Sequence, residues 1–143
     1  QRIFEDSWEA RYNYESSILS SVIKASNTRN IVELGSGPGV LCNKIMKQCA
    51  VDNYYLIDIQ AACDANKAQN LGGTFYVGDL NYGVDVDLPN NIDLLIANDF
   101  LEHIQNPAKA ILDVKKHMTK DAMAFISVPN RLSLELPVCR SVG

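Results

Sequence analysis

Short apolar runs alternate along this chain with longer stretches in which apolar residues recur every three or four positions. The first such stretch, Ile3 to Ala25, carries Phe4, Trp8, Tyr12, Ile18, Leu19, Val22 and Ile23 on a helical stripe, with a break expected near Asn13. Ile31-Val32-Glu33-Leu34 then reads as a strand cut off by glycine. Val40 to Cys49 repeats Leu41, Ile45 and Cys49 at steps of four, a helix face. Tyr54 to Asp58, Thr74 to Val77, Ile92 to Ala97 and Met123 to Val128 are four further strands, the last stopped by Pro129. An Ala-rich helix over Gln60 to Asn70 ends at Gly72-Gly73, and Asn81 to Asn91 forms a polar loop. Asn106 and Pro107 supply the cap and first position of a last helix bearing Ile111, Leu112, Val114 and Met118, with Lys115, Lys116 and His117 in its final turn.

Strands that are apolar almost throughout need cover on both faces, and their alternation with helices indicates a parallel sheet. The fold class is therefore α/β: a doubly wound, Rossmann-like, mainly parallel sheet in three α/β/α layers. Its ligand site is expected at the carboxyl ends of the strands. At 143 residues the chain has the length of one domain, read as a helical segment over 1–27 and an α/β core over 28–143.

The strongest chemical signal is Glu33-Leu34-Gly35-Ser36-Gly37-Pro38-Gly39, between the first strand and the following helix. The three glycines let a ligand approach main-chain atoms closely. Their spacing is G-x-G-x-G, not the G-x-G-x-x-G of dinucleotide folds. The carboxylate of Glu33 would repel a pyrophosphate and welcome the amino group of an amino-acid-like ligand. This stretch resembles the first motif, E-x-G-x-G-x-G, of class I methyltransferases that use S-adenosylmethionine (SAM), and the resemblance extends over nearly the whole chain.

That resemblance implies SAM as cofactor and a site built from Glu33, Gly35, Ser36, Gly37, Gly39, Asp58, Ile59, Asp79, Leu80 and Asn98. Asp58 matches the acid that bonds both ribose hydroxyls, and one carboxylate can accept two adjacent O–H groups. Asp79, in Val77-Gly78-Asp79-Leu80, matches the acid that contacts the adenine amine, with Leu80 and Ile59 packing on either side of the base. Asn98-Asp99-Phe100-Leu101-Glu102-His103-Ile104 resembles the family's fourth motif, beside the methionine part of the cofactor. His103 is the candidate catalytic base, since its pKa lies near neutrality. Asp99 and Glu102 are the other candidates, and the plain alternative for His103 is a hydrogen bond to a backbone carbonyl. Val128-Pro129-Asn130-Arg131-Leu132-Ser133-Leu134 resembles a stretch of sugar- and polysaccharide-tailoring members. The family fold normally has seven strands, the last two an antiparallel hairpin. Five are readable here, so the C-terminal strands are expected to be missing and the open sheet edge available for self-association.

The expected activity is methyl transfer from SAM to an oxygen or nitrogen of a small-molecule acceptor, a sugar or polysaccharide precursor first. A non-catalytic SAM-binding scaffold and an NAD-dependent oxidoreductase are the alternatives from other classes. With 13 Lys and Arg against 17 Asp and Glu, nucleic acid is not an expected partner. Arg131 and Arg140 are candidates to meet an anionic substrate. Cys42, Cys49, Cys63 and Cys139 lack metal-ligand spacing with His103 and His117, so no metal is expected. Their free thiols suit a cytoplasmic protein, and no apolar run reaches the roughly 20 residues of a membrane span. Tyr12 is assigned to the core, Tyr14 to the core or to closure over the cofactor, and His117 to a helix-end cation.

Overall fold

The computed structural model describes residues 2–129, with side chains from Trp8 onward. Helix α1 (Arg2–Ser26) leads into five strands: β1 (Asn30–Leu34), β2 (Asn53–Asp58), β3 (Thr74–Val77), β4 (Ile92–Asn98) and β5 (Met118–Ser127). Helices α2 (Val40–Gln48), α3 (Gln60–Gln69) and α4 (Pro107–Lys115) lie between them, with 3₁₀ turns at Leu80–Tyr82 and Leu101–His103. The strand order is β3-β2-β1-β4-β5 and every pairing is parallel. Among the described residues β3 and β5 are the sheet's outer strands. No helix of these residues is long and apolar enough to cross a membrane.

β1 lies at the centre, with Ile31, Val32 and Leu34 fully buried. Alternate side chains enter two cores. Val32, Leu34, Leu95 and Ala97 meet Ala110 and Val114 of α4 on one face. Ile31, Leu94 and Ile96 meet Leu19 and Ile23 of α1 and Leu41 and Ile45 of α2 on the other. This makes the three-layer architecture expected from the near-continuous apolar strands.

Three local expectations are corrected. α1 continues through Asn13 without a break. Asn costs well under about 1 kcal/mol in a helix, less than the packing of one buried leucine contributes. The buried face of α1 also follows the apolar stripe only in part: Leu19 and Ile23 are buried and Tyr12 packs on the same core, but Glu15, Ser16 and Ser20 complete the face, while Trp8, Ile18 and Val22 are exposed. Finally, α4 ends at Lys115, and Met118 opens β5 opposite Ile92 instead of extending the helix. β5 therefore starts five residues before the expected Met123, across a bulge between Ile92 and Leu94. Lys120 and Asp121 hide its start from the pattern because they lie exposed on an outer strand. Elsewhere strand and helix limits fall within a residue or so of the expectation, and Asn106 caps α4 by accepting the Lys109 N–H at 3.1 Å.

One carboxylate ties the 81–91 loop to α4. Asp113, on the inner face of α4, accepts the Val84 N–H at 3.1 Å and is flanked by Lys109 Nζ at 2.5 Å and Lys116 Nζ at 2.7 Å. The two lysine hydrogen bonds, helped by Val84 against the opposing effect of burial, hold this carboxyl well below the usual range. A group of that kind stabilises the fold at pH values above its unfolded pKa, near 4, and loses the contribution as acid protonates it. Asp113→Ala is accordingly expected to lower stability by about 1–3 kcal/mol at pH 7. In urea titrations the gap from the parent protein should narrow steadily below about pH 4. A gap that is the same at pH 3 and pH 7 would show that ionisation of Asp113 has no part in it.

Candidate functional site

Parallel pairing brings the strand ends to one edge. Leu34 is level with Ile57 and with Ala97, Asp58 with Val77, and Asn98 with Ser127. The glycine loop, Asp58, Asp79, Asn98 and Ser127 therefore share the carboxyl edge of the sheet. β1 faces β2 on one side and β4 on the other, so the order reverses there, which is where doubly wound sheets open a crevice.

Two of the loop glycines are needed for distinct reasons. At Gly35, φ is +65°, and a Cβ would collide with the Phe100 ring that packs onto it from the end of β4. At Gly37, φ is +52° and a Cβ would meet nothing within 4 Å. The loop thus closes against protein at Gly35 and is bare toward open space at Gly37. The Gly37 N–H donates to Asp58 Oδ2 at 2.7 Å, and the Ile59 N–H to Asp58 Oδ1 at 2.7 Å. Each Asp58 oxygen keeps acceptor capacity for a further donor. Ser36 is buried, its hydroxyl turned to the Gly37 carbonyl at 3.2 Å, and Gly39 precedes α2.

Further along the edge, Ile59 is exposed at the start of α3 and Leu80 is buried in the α4-side core. Asp79 is exposed and accepts both the backbone and side-chain N–H groups of Asn81 at 3.0 Å. Beside Asp79 an open cleft of about 500 Å³ is lined by Ile57, Val84–Val86, Lys109 and Asp113 and by no residue of the glycine loop. His103 stands on the surface, its side chain 72% exposed and Nε2 3.7 Å from Glu102 Oε1. Tyr12 packs against the α1-side core and Tyr14 is exposed. Arg131, Arg140, Cys139 and the Asn130–Leu134 part of the V-P-N stretch lie outside the described residues.

Glu33 sits behind the loop. Its side chain points into the α1-side core, and the Tyr54 hydroxyl donates to its Oε2 at 2.7 Å. Burial pushes this carboxyl up to about 8; the Tyr54 hydrogen bond opposes the shift, and Asp58 and Glu15 add to it. Burial also raises the nearby Cys42 thiol, consistent with a packing role.

The sequence did not reveal a second polar group here. Arg11 and Glu15 of α1 reach the end of β4: Glu15 accepts from Arg11 Nε at 2.7 Å and from Asn98 Nδ2 at 2.8 Å, and Arg11 also pairs with Asp99. One signal was available. Glu15 stands four and eight residues before Leu19 and Ile23, a charge in line with the buried stripe.

A family model described as a methyltransferase domain matches residues 8–138. The plantazolicin methyltransferase BpumL, solved with a triazolic desmethylPZN analog and SAH, is similar in fold: TM-score 0.76 and 17% identity over 96% of this chain and 56% of that one. An S-adenosylmethionine-dependent methyltransferase from Clostridium acetobutylicum ATCC 824 superposes with TM-score 0.64 and 16% identity, covering 86% of this chain and 53% of its own. The chain thus spans about half the length of these structures. No curated protein matches it by sequence.

The raised Glu33 carboxyl makes stability depend on pH. Below about pH 4.5 both the folded and unfolded states hold the proton; between there and about 8 only the folded state does, so stability falls as pH rises through that window. Glu33→Gln removes the proton and should flatten the slope of unfolding free energy between pH 5 and pH 8 by up to about 1.4 kcal/mol per unit. Denaturant titrations at four pH values would read this, and parallel curves for the two proteins would contradict it.

Proposed function

The chain belongs to the methyltransferase-domain family, and from that premise we propose that it transfers a methyl group from SAM to an oxygen or nitrogen of a small-molecule acceptor. The observation that carries this reading is the bond between Gly37 N–H and Asp58 Oδ2. It joins the first two strand ends into one cradle whose glycine is bare toward open space. The residues present fit the cofactor: Asp58 has acceptor capacity for a vicinal diol, and Asp79 is exposed to accept from an exocyclic amine. SAM supplies, when bound, a methyl group on a sulfonium with a neutral thioether as leaving group. The protein's part is to fix the donor and acceptor in line and to keep water out, a proximity effect.

Gly35, Ser36, Gly37 and Gly39, backed by the buried Glu33, form the loop side of this site, Asp58 and Ile59 the ribose side, Asp79 and Leu80 the adenine side, and Asn98 the end by β4. His103 is the proposed acceptor of the proton released from a hydroxyl or amine. Exposure of its imidazole beside Glu102 leaves it open to a substrate and to solvent. The resemblance of the stretch beginning Val128-Pro129 to sugar-tailoring enzymes supports a sugar or polysaccharide precursor as acceptor. The net charge of −4 favours a small molecule over a nucleic acid.

Calorimetric titration with SAM, S-adenosylhomocysteine and NADH tests the cofactor assignment. Saturable binding of both adenosyl ligands is expected, with Asp58→Ala weakening them by about 2 kcal/mol, roughly 30-fold. Binding of NADH alone would overturn the methyltransferase reading. For His103→Ala, release of S-adenosylhomocysteine over a panel of sugar and amine acceptors should fall by about 100-fold while cofactor affinity holds. Unchanged turnover would remove His103 from the reaction.

A further inference from the structure

The loops after β3 and β4 leave strands that are not neighbours, since β2 and β1 lie between them in the sheet. They are joined all the same. The Gln105 N–H, two residues past the Leu101–His103 turn, donates to Asn81 Oδ1 at 3.1 Å. From its other end the same amide donates through Nδ2 to Asp79 Oδ1 at 3.0 Å, beside the Asn81 backbone N–H at the same distance. One side chain thus bridges the segment of Asp79 and the segment of His103.

The direction of this amide is fixed. Turned over, it would set an N–H against the Gln105 N–H and an oxygen against a carboxylate. Its surroundings are held in turn. Gln105 directly precedes the Asn106 cap of α4. Past Asn81 the chain lies so close on α4 that a Cβ at Gly83 would collide with Asp113 and Lys109. Asp79 Oδ1 is therefore taken by Asn81, and among the described residues Oδ2 accepts from no protein group.

We infer that Asn81 is a positioning residue that sets the base specificity of the site: it holds one Asp79 oxygen so that the other meets the base, and it refers that aim to the segment carrying His103. This rests on the reading of Asp79 as the partner of an exocyclic amine. A carboxylate free to rotate turns away from a base that offers a carbonyl oxygen, and so tolerates it. A held carboxylate cannot, and two acceptors then face each other unpaired. Selection of an amine over a carbonyl therefore comes from the restraint on Asp79 and not from its charge alone. Because Gln105 closes the segment that bears His103, the base and the proposed proton acceptor are located from one side chain.

The test compares calorimetric binding of S-adenosylhomocysteine and S-inosylhomocysteine, in which a carbonyl oxygen replaces the exocyclic amine. Hydrogen exchange of the Gln105 amide is followed in the same proteins. The parent chain should prefer the adenosyl ligand by at least about tenfold. Asn81→Ala keeps the backbone N–H to Asp79 and loses the amide. Its preference should fall to about threefold, with Gln105 exchanging at least about tenfold faster. Asn81→Asp keeps an acceptor for Gln105 and sets a second carboxylate against Asp79. Here the preference should vanish while Gln105 exchange stays within about twofold of the parent, and this variant serves if Asn81→Ala does not fold. Equal weakening of both ligands in the variants, or a preference they retain, would reduce Asn81 to a loop brace and overturn the inference. Unchanged Gln105 exchange in Asn81→Ala would overturn it as well. A parent chain that binds both ligands alike would remove the amine reading of Asp79, whereas one that binds neither would sink the adenosyl reading itself.

Discussion

The structure depends on a strand that has no wet face. β1 pairs with β2 and β4 along its edges and is covered by α1 and α2 above and α4 below, so Ile31, Val32 and Leu34 are fully buried. Water cannot satisfy anything on such a strand, and every backbone group must be bonded in the ladder. The same placement fixes the site. Chains leaving β1 and β4 at the same level turn to opposite sides, and the crevice that opens between them is a consequence of strand order alone. Glu33 is the exception inside this apolar strand. It is accommodated as a protonated carboxyl bonded to Tyr54, because desolvation of an unpaired anion there would cost more than holding the proton.

The core strands were legible because burial on both faces calls for apolar residues at nearly every position: Ile-Val-Glu-Leu, Tyr-Leu-Ile and Ile-Asp-Leu-Leu-Ile-Ala show it directly. The glycine loop was legible for the opposite reason, since positive φ and a close ring contact restrict the choice of residue. β5 was half legible. An outer strand can leave both Lys120 and Asp121 exposed, and its first residues then look like a loop after a helix. That is why Met118 read as helical when it pairs with Ile92.

Glu33 illustrates a limit of motif reading. Its place two residues before Gly35 made it look like a ligand contact, whereas the alternation of a strand sends its side chain into the core with Tyr54. A residue can support a loop by filling the space behind it. The raised carboxyl is then part of the wall on which the loop rests, and its neighbours Asp58 and Glu15 raise it further through the low-dielectric interior.

The polar face of α1 carries the same reasoning further. A helix that served only to cover the sheet would bury leucine and valine, since apolar replacements for buried ion pairs are commonly neutral or stabilising. α1 instead buries Glu15, Ser16 and Ser20 while leaving Ile18 and Val22 exposed. Over the lower half of the face, Leu19 and Ile23 do the packing. Over the half nearest the strand ends, Glu15 and Arg11 take those positions and reach Asn98 and Asp99. The change from apolar to charged along one helix face coincides with the passage from core to crevice. Hydrophobic periodicity registers the first half and is blind to the second, because charged side chains at core spacing look like an interrupted helix until the surface they meet is known.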